Sequence, residues 1–125
     1  MQRIHRTQIK LADILAVETR VRGIDCVRWG FHMQQALDRA HATGADIQRV
    51  LAKGKLIEIN DGNGSGEPRV VLRHDENGWG TCVVVSLVRR ELVTLWVNTS
   101  HDKHFTLDRN AYRWRPDIAK LLQEV

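Results

Sequence analysis

The sequence predicts an α+β domain in which N-terminal helices pack on one face of a four-stranded antiparallel meander sheet, and three observations predict it. Helical periodicities fall in the first part of the chain, before Gly54. After Gly54 come four strand-like runs, Lys55 to Ile59, Arg69 to His74, Thr81 to Val88 and Leu92 to Asn98. The connections between these runs are short or rich in Gly, Asn and Asp, which pairs neighbours antiparallel and needs no crossover. Helices followed by strands is the order expected when helices cover one face of an antiparallel sheet.

At 125 residues the chain is read as one domain, with an N-terminal extension (1–30), a helix–helix–sheet core (31–113) and a C-terminal tail (114–125). In the extension, Thr7 is placed to cap a helix running through Ile9, Ala12, Leu15 and Ala16. Leu11, Ile14 and Val17 spread apolar residues around the rest of its circumference, while Glu18 to Gly30 has no clean period and reads as irregular or short extended structure. From Phe31 onward, Met33, Ala36, Leu37 and Ala40 fall at i, i+3, i+4 and i+7 on one helical face. Thr43-Gly44 ends that helix. Asp46 then caps a second one with Ile47, Val50 and Leu51 as its stripe, and Gly54 is expected to close it in a left-handed conformation. Between the strands, Asn60 to Glu67 is a Gly-rich connection, Asp75 to Gly78 a tight hairpin and Arg89 to Glu91 a charged turn. Cys82 to Val88 is apolar on both faces, as a central strand would be. Pro116 opens a last short helix over Asp117 to Leu122.

Hydrophobic residues make up 42% and charged residues 27%, which excludes global disorder. The N-terminus lacks an apolar signal segment and the most apolar run, Cys82 to Val88, is too short to cross a bilayer, so a cytoplasmic protein with no membrane partner is expected. The two cysteines, Cys26 and Cys82, form no CxxC pair and fit a reducing compartment. A net charge of +4 favours an anionic partner, nucleic acid foremost.

The densest chemistry follows the last strand, where His101, Asp102, Lys103, His104, Thr106, Asp108, Arg109, Tyr112 and Arg113 crowd together. Cleaving RNA without a metal requires a base for the 2′-hydroxyl, an acid for the leaving 5′-oxygen and donors for the phosphorane oxygens. His104 can be the base or acid, Thr106 and Tyr112 the donors, and Arg39, Arg73 or Arg109 a clamp whose planar fork matches two oxygens at once. His32, Gln35 and Arg39 fall within about 60° of one another on the helix that opens at Phe31, so His32 and Arg39 join the catalytic candidates. His41 lies on another side and reads as solvated. Arg69 and Arg73 share a face of the second predicted strand, with His74 opposite, and with Arg109 and Arg113 they are expected to contact phosphates. Of Trp29, Trp79, Trp96 and Trp114, Trp96 is the candidate for stacking on a base. His101 and His104 lack the further ligands of a zinc site, and the Gly-rich connection neither enters a helix nor ends in GK[ST], so neither a metal nor a cofactor is expected.

Several short patterns occur together between Met33 and Asp108: Ala36-Leu37-x-Arg39, Gly44, Ile47-x-x-Val50-Leu51, Gly54-x-Leu56-Ile57-Glu58, Pro68-Arg69 and two Val-rich strands. With these, about three-fifths of the chain resembles a family of small domains of unknown function related to the BECR ribonucleases (barnase, EndoU, colicin and RelE-like). Such domains often carry a His immediately before the Ala-Leu pattern, where this chain has Gln35, with His32 one turn earlier. His104 to Asp108 with Tyr112 looks like the ends of toxin-like and phage-borne members. The resemblance implies a metal-independent endoribonuclease of toxin type acting on RNA or tRNA, with an acidic immunity protein or antitoxin as partner. The alternative is a non-catalytic phage or mobile-element protein that binds and inhibits a protein or nucleic acid.

Overall fold

A computed structural model describes residues 2–24, 28–99, 114 and 116–122. The strands are β1 (Arg3–His5), β2 (Arg28–Trp29), β3 (Lys55–Asn60), β4 (Arg69–Glu76), β5 (Trp79–Ser86) and β6 (Glu91–Thr99). The helices are α1 (Leu11–Arg22), α2 (Met33–Ala40), α3 (Gly44–Lys53) and the short α4 (Ile118–Leu121), with a 3₁₀ turn at Arg6–Gln8. All six strands form one sheet in the order β1-β3-β4-β5-β6-β2. The expected four-stranded antiparallel meander is therefore corrected to a six-stranded mixed sheet. β3 to β6 do pair antiparallel in sequence, but β1 adds antiparallel to β3 at one edge and β2 adds parallel to β6 at the other. The missed strands are three and two residues long, too short for a two-residue period to register.

Packing explains the layer order. Val70 and Leu72 of β4, Val83 and Val85 of β5, and Leu92 and Leu95 of β6 join Val17, Val21, Met33, Leu37, Ile47 and Val50 of the helices in one buried cluster. Val71, Cys82 and Val84 form a smaller cluster on the opposite face, with Ile57, Val93 and Trp96 against it. Both faces of β5 are thus apolar, as its sequence requires.

Buried charge joins the extension to the sheet. Glu18 of α1 accepts hydrogen bonds from the Leu56 N–H at 2.8 Å and from Arg6 at 3.1 Å, and Arg6 also donates to the Leu56 carbonyl at 2.8 Å. These side chains satisfy backbone groups of β3 beyond the reach of β1, which pairs only with Glu58 to Asn60. Arg22 donates to the Ala52 and Gly54 carbonyls at 3.0 and 3.2 Å, satisfying acceptors at the end of α3.

Four details differ from expectation, the first being that α1 continues through Glu18 to Arg22, where the sequence shows no clean period because buried Val17, Glu18 and Val21 mix an apolar stripe with a buried charge. Thr7 lies in the 3₁₀ turn, and the backbone becomes α-helical only after Lys10. Thr43, not Asp46, is the N-cap of α3; Asp46 sits three residues in and bonds back to it. Gly54 is extended (φ −65°, ψ 150°), and glycine is needed there because a Cβ would overlap the Val50 carbonyl oxygen and press on Leu72. Gly54→Ala is accordingly expected to lower unfolding free energy by about 1–3 kcal/mol. Gly44→Ala, with nothing near the new methyl, should leave it unchanged or raise it by about 0.4–1 kcal/mol. Urea denaturation of both variants is the check, and equal losses would contradict the packing assigned to Gly54.

Candidate nucleic-acid site at the tip of the β4–β5 hairpin

The long β4–β5 hairpin turns over a two-residue loop in which Asn77 (φ 53°) and Gly78 (φ 81°) are both left-handed, with Glu76 paired to Trp79. Two positive φ values make this the primed turn that follows the natural twist of the strands. With that register fixed, alternation sends His74, Glu76, Trp79 and Thr81 to the same side of the sheet as Leu72 and Val83, the side the helices cover. There the hairpin tip meets the corner between α2 and α3. The result is a cleft of about 550 Å³ whose polar lining includes Arg39, His41, Asp46, Arg49, His74 and Glu76. Trp79, 56% exposed, Thr81 and Val97 of β6 line the sheet side of it.

Local geometry positions each group. α2 ends on His41, whose φ of 51° lies in the left-handed region where glycine is usual. The Ala42 N–H then reaches the Leu37 carbonyl at 3.0 Å, and the imidazole of His41 is presented at the rim of the cleft. Asp46 accepts from the Thr43 backbone N–H at 2.8 Å and the Thr43 hydroxyl at 3.2 Å, and pairs closely with Arg49. Arg49 also reaches Glu76 at 3.4 Å, and the same Glu76 oxygen lies 3.9 Å from Nε2 of His74. One carboxylate thus stands between a guanidinium and an imidazole. Arg39 makes no ion pair among the described residues.

The sites read from the sequence are partly dispersed. Arg39 lies in the cleft, but His32 is the N-cap of α2, at the other end of that helix. Arg73 is buried on the opposite sheet face, where it donates to Asp75 at 2.8 Å and to the Thr99 carbonyl at 3.1 Å. Its guanidinium packs over Gly80, where a Cβ would overlap it, so Arg73 ties strands together. Arg69 lies on that face too, between Asn60 and Ser86, and Trp96 is half-buried there opposite Cys82. His104, Thr106, Arg109, Tyr112 and Arg113 lie outside the described residues, as do His101 and Cys26. The cleft brings in His41, Arg49, His74, Glu76 and Trp79, which the sequence did not place together. The available signal was the alternation His74-x-Glu76 on the face opposite Arg73, running into an Asn-Gly turn.

Among the described residues no group of three or more His, Cys, Asp or Glu side chains could hold a metal ion, and no helix is long and apolar enough to cross a membrane.

The Thr43 backbone N–H holds the Asp46 carboxyl below its ordinary value of 3.8, with the Thr43 hydroxyl and Arg49 acting in the same direction and burial opposing them. A carboxyl lowered by folding adds stability that is complete above its unfolded value and is lost as pH falls through the folded one. Asp46→Asn is therefore expected to flatten the fall in urea midpoint on acidification below about pH 4. An acid limb as steep in the variant as in the parent would contradict this role.

No family model matches this chain, and neither a curated protein nor a solved structure does, so the chemistry of the cleft is read from its own side chains.

Proposed function

We propose that this chain is a metal-independent endoribonuclease of toxin type, and that RNA or tRNA is cleaved in the cleft between the α2–α3 corner and the β4–β5 hairpin. The observation that carries the reading is that His41 and His74 line one cleft with Arg39, Arg49 and an exposed Trp79. Imidazole titrates near neutral pH, so two of them can remove the 2′-hydroxyl proton and supply one to the departing 5′-oxygen. Glu76, with a carboxylate oxygen 3.9 Å from Nε2 of His74, helps to position that ring. Arg39 is the contact for the non-bridging phosphate oxygens, and Trp79 offers a face on which a base can stack. The +4 net charge supplies attraction for the polyanion and, in the same reading, for an acidic immunity protein or antitoxin.

A second reading has its own support. Arg49 is already held by Asp46 and Glu76, which leaves Arg39 as the one lining guanidinium without an ion pair among the described residues. A cleft with that balance suits holding a nucleic acid or protein partner without cleaving it, as a phage or mobile-element inhibitor would.

Cleavage of total RNA in EDTA, followed on a gel, separates the two. The parent chain is expected to cleave, and His74→Ala and His41→Gly are each expected to cut the rate by about 10²–10⁴-fold. Glycine relieves the left-handed backbone at position 41, so that variant loses the imidazole while keeping or gaining stability. Absence of cleavage by the parent would favour the binding reading; undiminished cleavage by both variants would remove the chemistry from this cleft.

A further inference from the structure

We propose that the edge formed by Arg28 to His32 is a second stacking subsite for single-stranded RNA, from which the strand runs along α2 to the cleft; this rests on the RNA reading above. Phe31 is 91% exposed and Trp29 50%, so two large rings forgo burial within three residues of each other. Leaving a Phe in water gives up about 1.5–3 kcal/mol of stabilisation, which makes the placement informative.

The backbone here is closely defined. The Gly30 N–H donates to the Leu92 carbonyl at 2.7 Å, and a Cβ at Gly30 would come within 2.9 Å of that oxygen and of the Glu91 carboxylate. Glycine thus lets the segment lie tight against β6. The Met33 N–H then donates to the Gly30 carbonyl at 3.0 Å, closing a turn whose two central residues are Phe31 and His32. Their rings meet edge to face, centroids 5.0 Å apart, so the exposed Phe31 is supported by a neighbour.

Charge selects the occupant. The Arg28 N–H donates to the Arg90 carbonyl at 2.8 Å, which brings the β5–β6 turn beside the aromatic edge. Arg28 and Arg90 are both exposed and make no ion pair among the described residues, whereas Arg89 is held by Glu67 at 2.6 Å. Among the described residues, two exposed guanidiniums stand against the one carboxylate of Glu91 at this edge, an excess of positive charge beside exposed rings that suits a flexible polyanion with accessible base faces. α2 starts at this edge and ends at Arg39 and His41, eight residues and about 12 Å away, so one strand can engage both places.

Fluorescence anisotropy with a labelled, uncleavable single-stranded 2′-O-methyl oligoribonucleotide tests this on the full chain. Phe31→Ala and Trp29→Ala are each expected to weaken binding by about tenfold, as loss of one base–aromatic stack does. Phe31→Leu should be weakened like Phe31→Ala, since it keeps the apolar bulk but not the ring. Parental affinity in both alanine variants would overturn the subsite while leaving the RNA reading intact, and parental affinity in Phe31→Leu would overturn stacking as its basis. No RNA binding by the parent would remove both proposals.

Discussion

The Asn77-Gly78 turn is the constraint from which the candidate site follows. Two consecutive left-handed residues join β4 to β5 with Glu76 directly opposite Trp79, and a strand has only two faces. Once that register is set, His74, Glu76, Trp79 and Thr81 must all point toward the helical layer, and Arg73 must point away. A slip of one residue would exchange the two sets. It would bury His74 among Val71 and Cys82 and bring Arg73 to the α2–α3 corner. The chemistry of the cleft is therefore a property of strand pairing as much as of residue choice.

The opposite face reinforces this register. Arg73 reaches across β5 to the Thr99 carbonyl of β6 and rests over Gly80, the one residue on that path without a side chain. The guanidinium satisfies Asp75 and a backbone acceptor at the sheet's end, so a residue that resembles a phosphate contact in the sequence is occupied in holding strands together. In the cleft the balance differs. Asp46 and Glu76 orient Arg49, Glu76 faces His74, and Arg39 makes no ion pair among the described residues.

Much of the scaffold was legible because its signals are local. The stripes Met33-Ala36-Leu37 and Ile47-Val50-Leu51 marked α2 and α3, the Asn-Gly pair marked the hairpin, and the strand runs near 55, 69, 81 and 92 were found to within two or three residues. The edge strands were not, because two or three residues carry no period and β2 owes its place to backbone bonds with Arg90 and Leu92. The site was legible only in part. Helical geometry points to Arg39, but a helical wheel places His41 on another side, and its left-handed backbone departs from that wheel. His74 and Arg49 meet through Glu76 only after β4 docks against α3, a contact that no sequence spacing encodes.

The most direct test of this account is an NMR titration of the full chain with the uncleavable single-stranded oligoribonucleotide, following the imidazole signals of His41 and His74 and the indole N–H of Trp79. Binding in the cleft shifts all three together with one affinity, while the Trp96 indole on the opposite face stays in place. Shifts confined to Trp96 and the backbone around Val71 and Cys82 would place the binding surface on the other side of the sheet and contradict it.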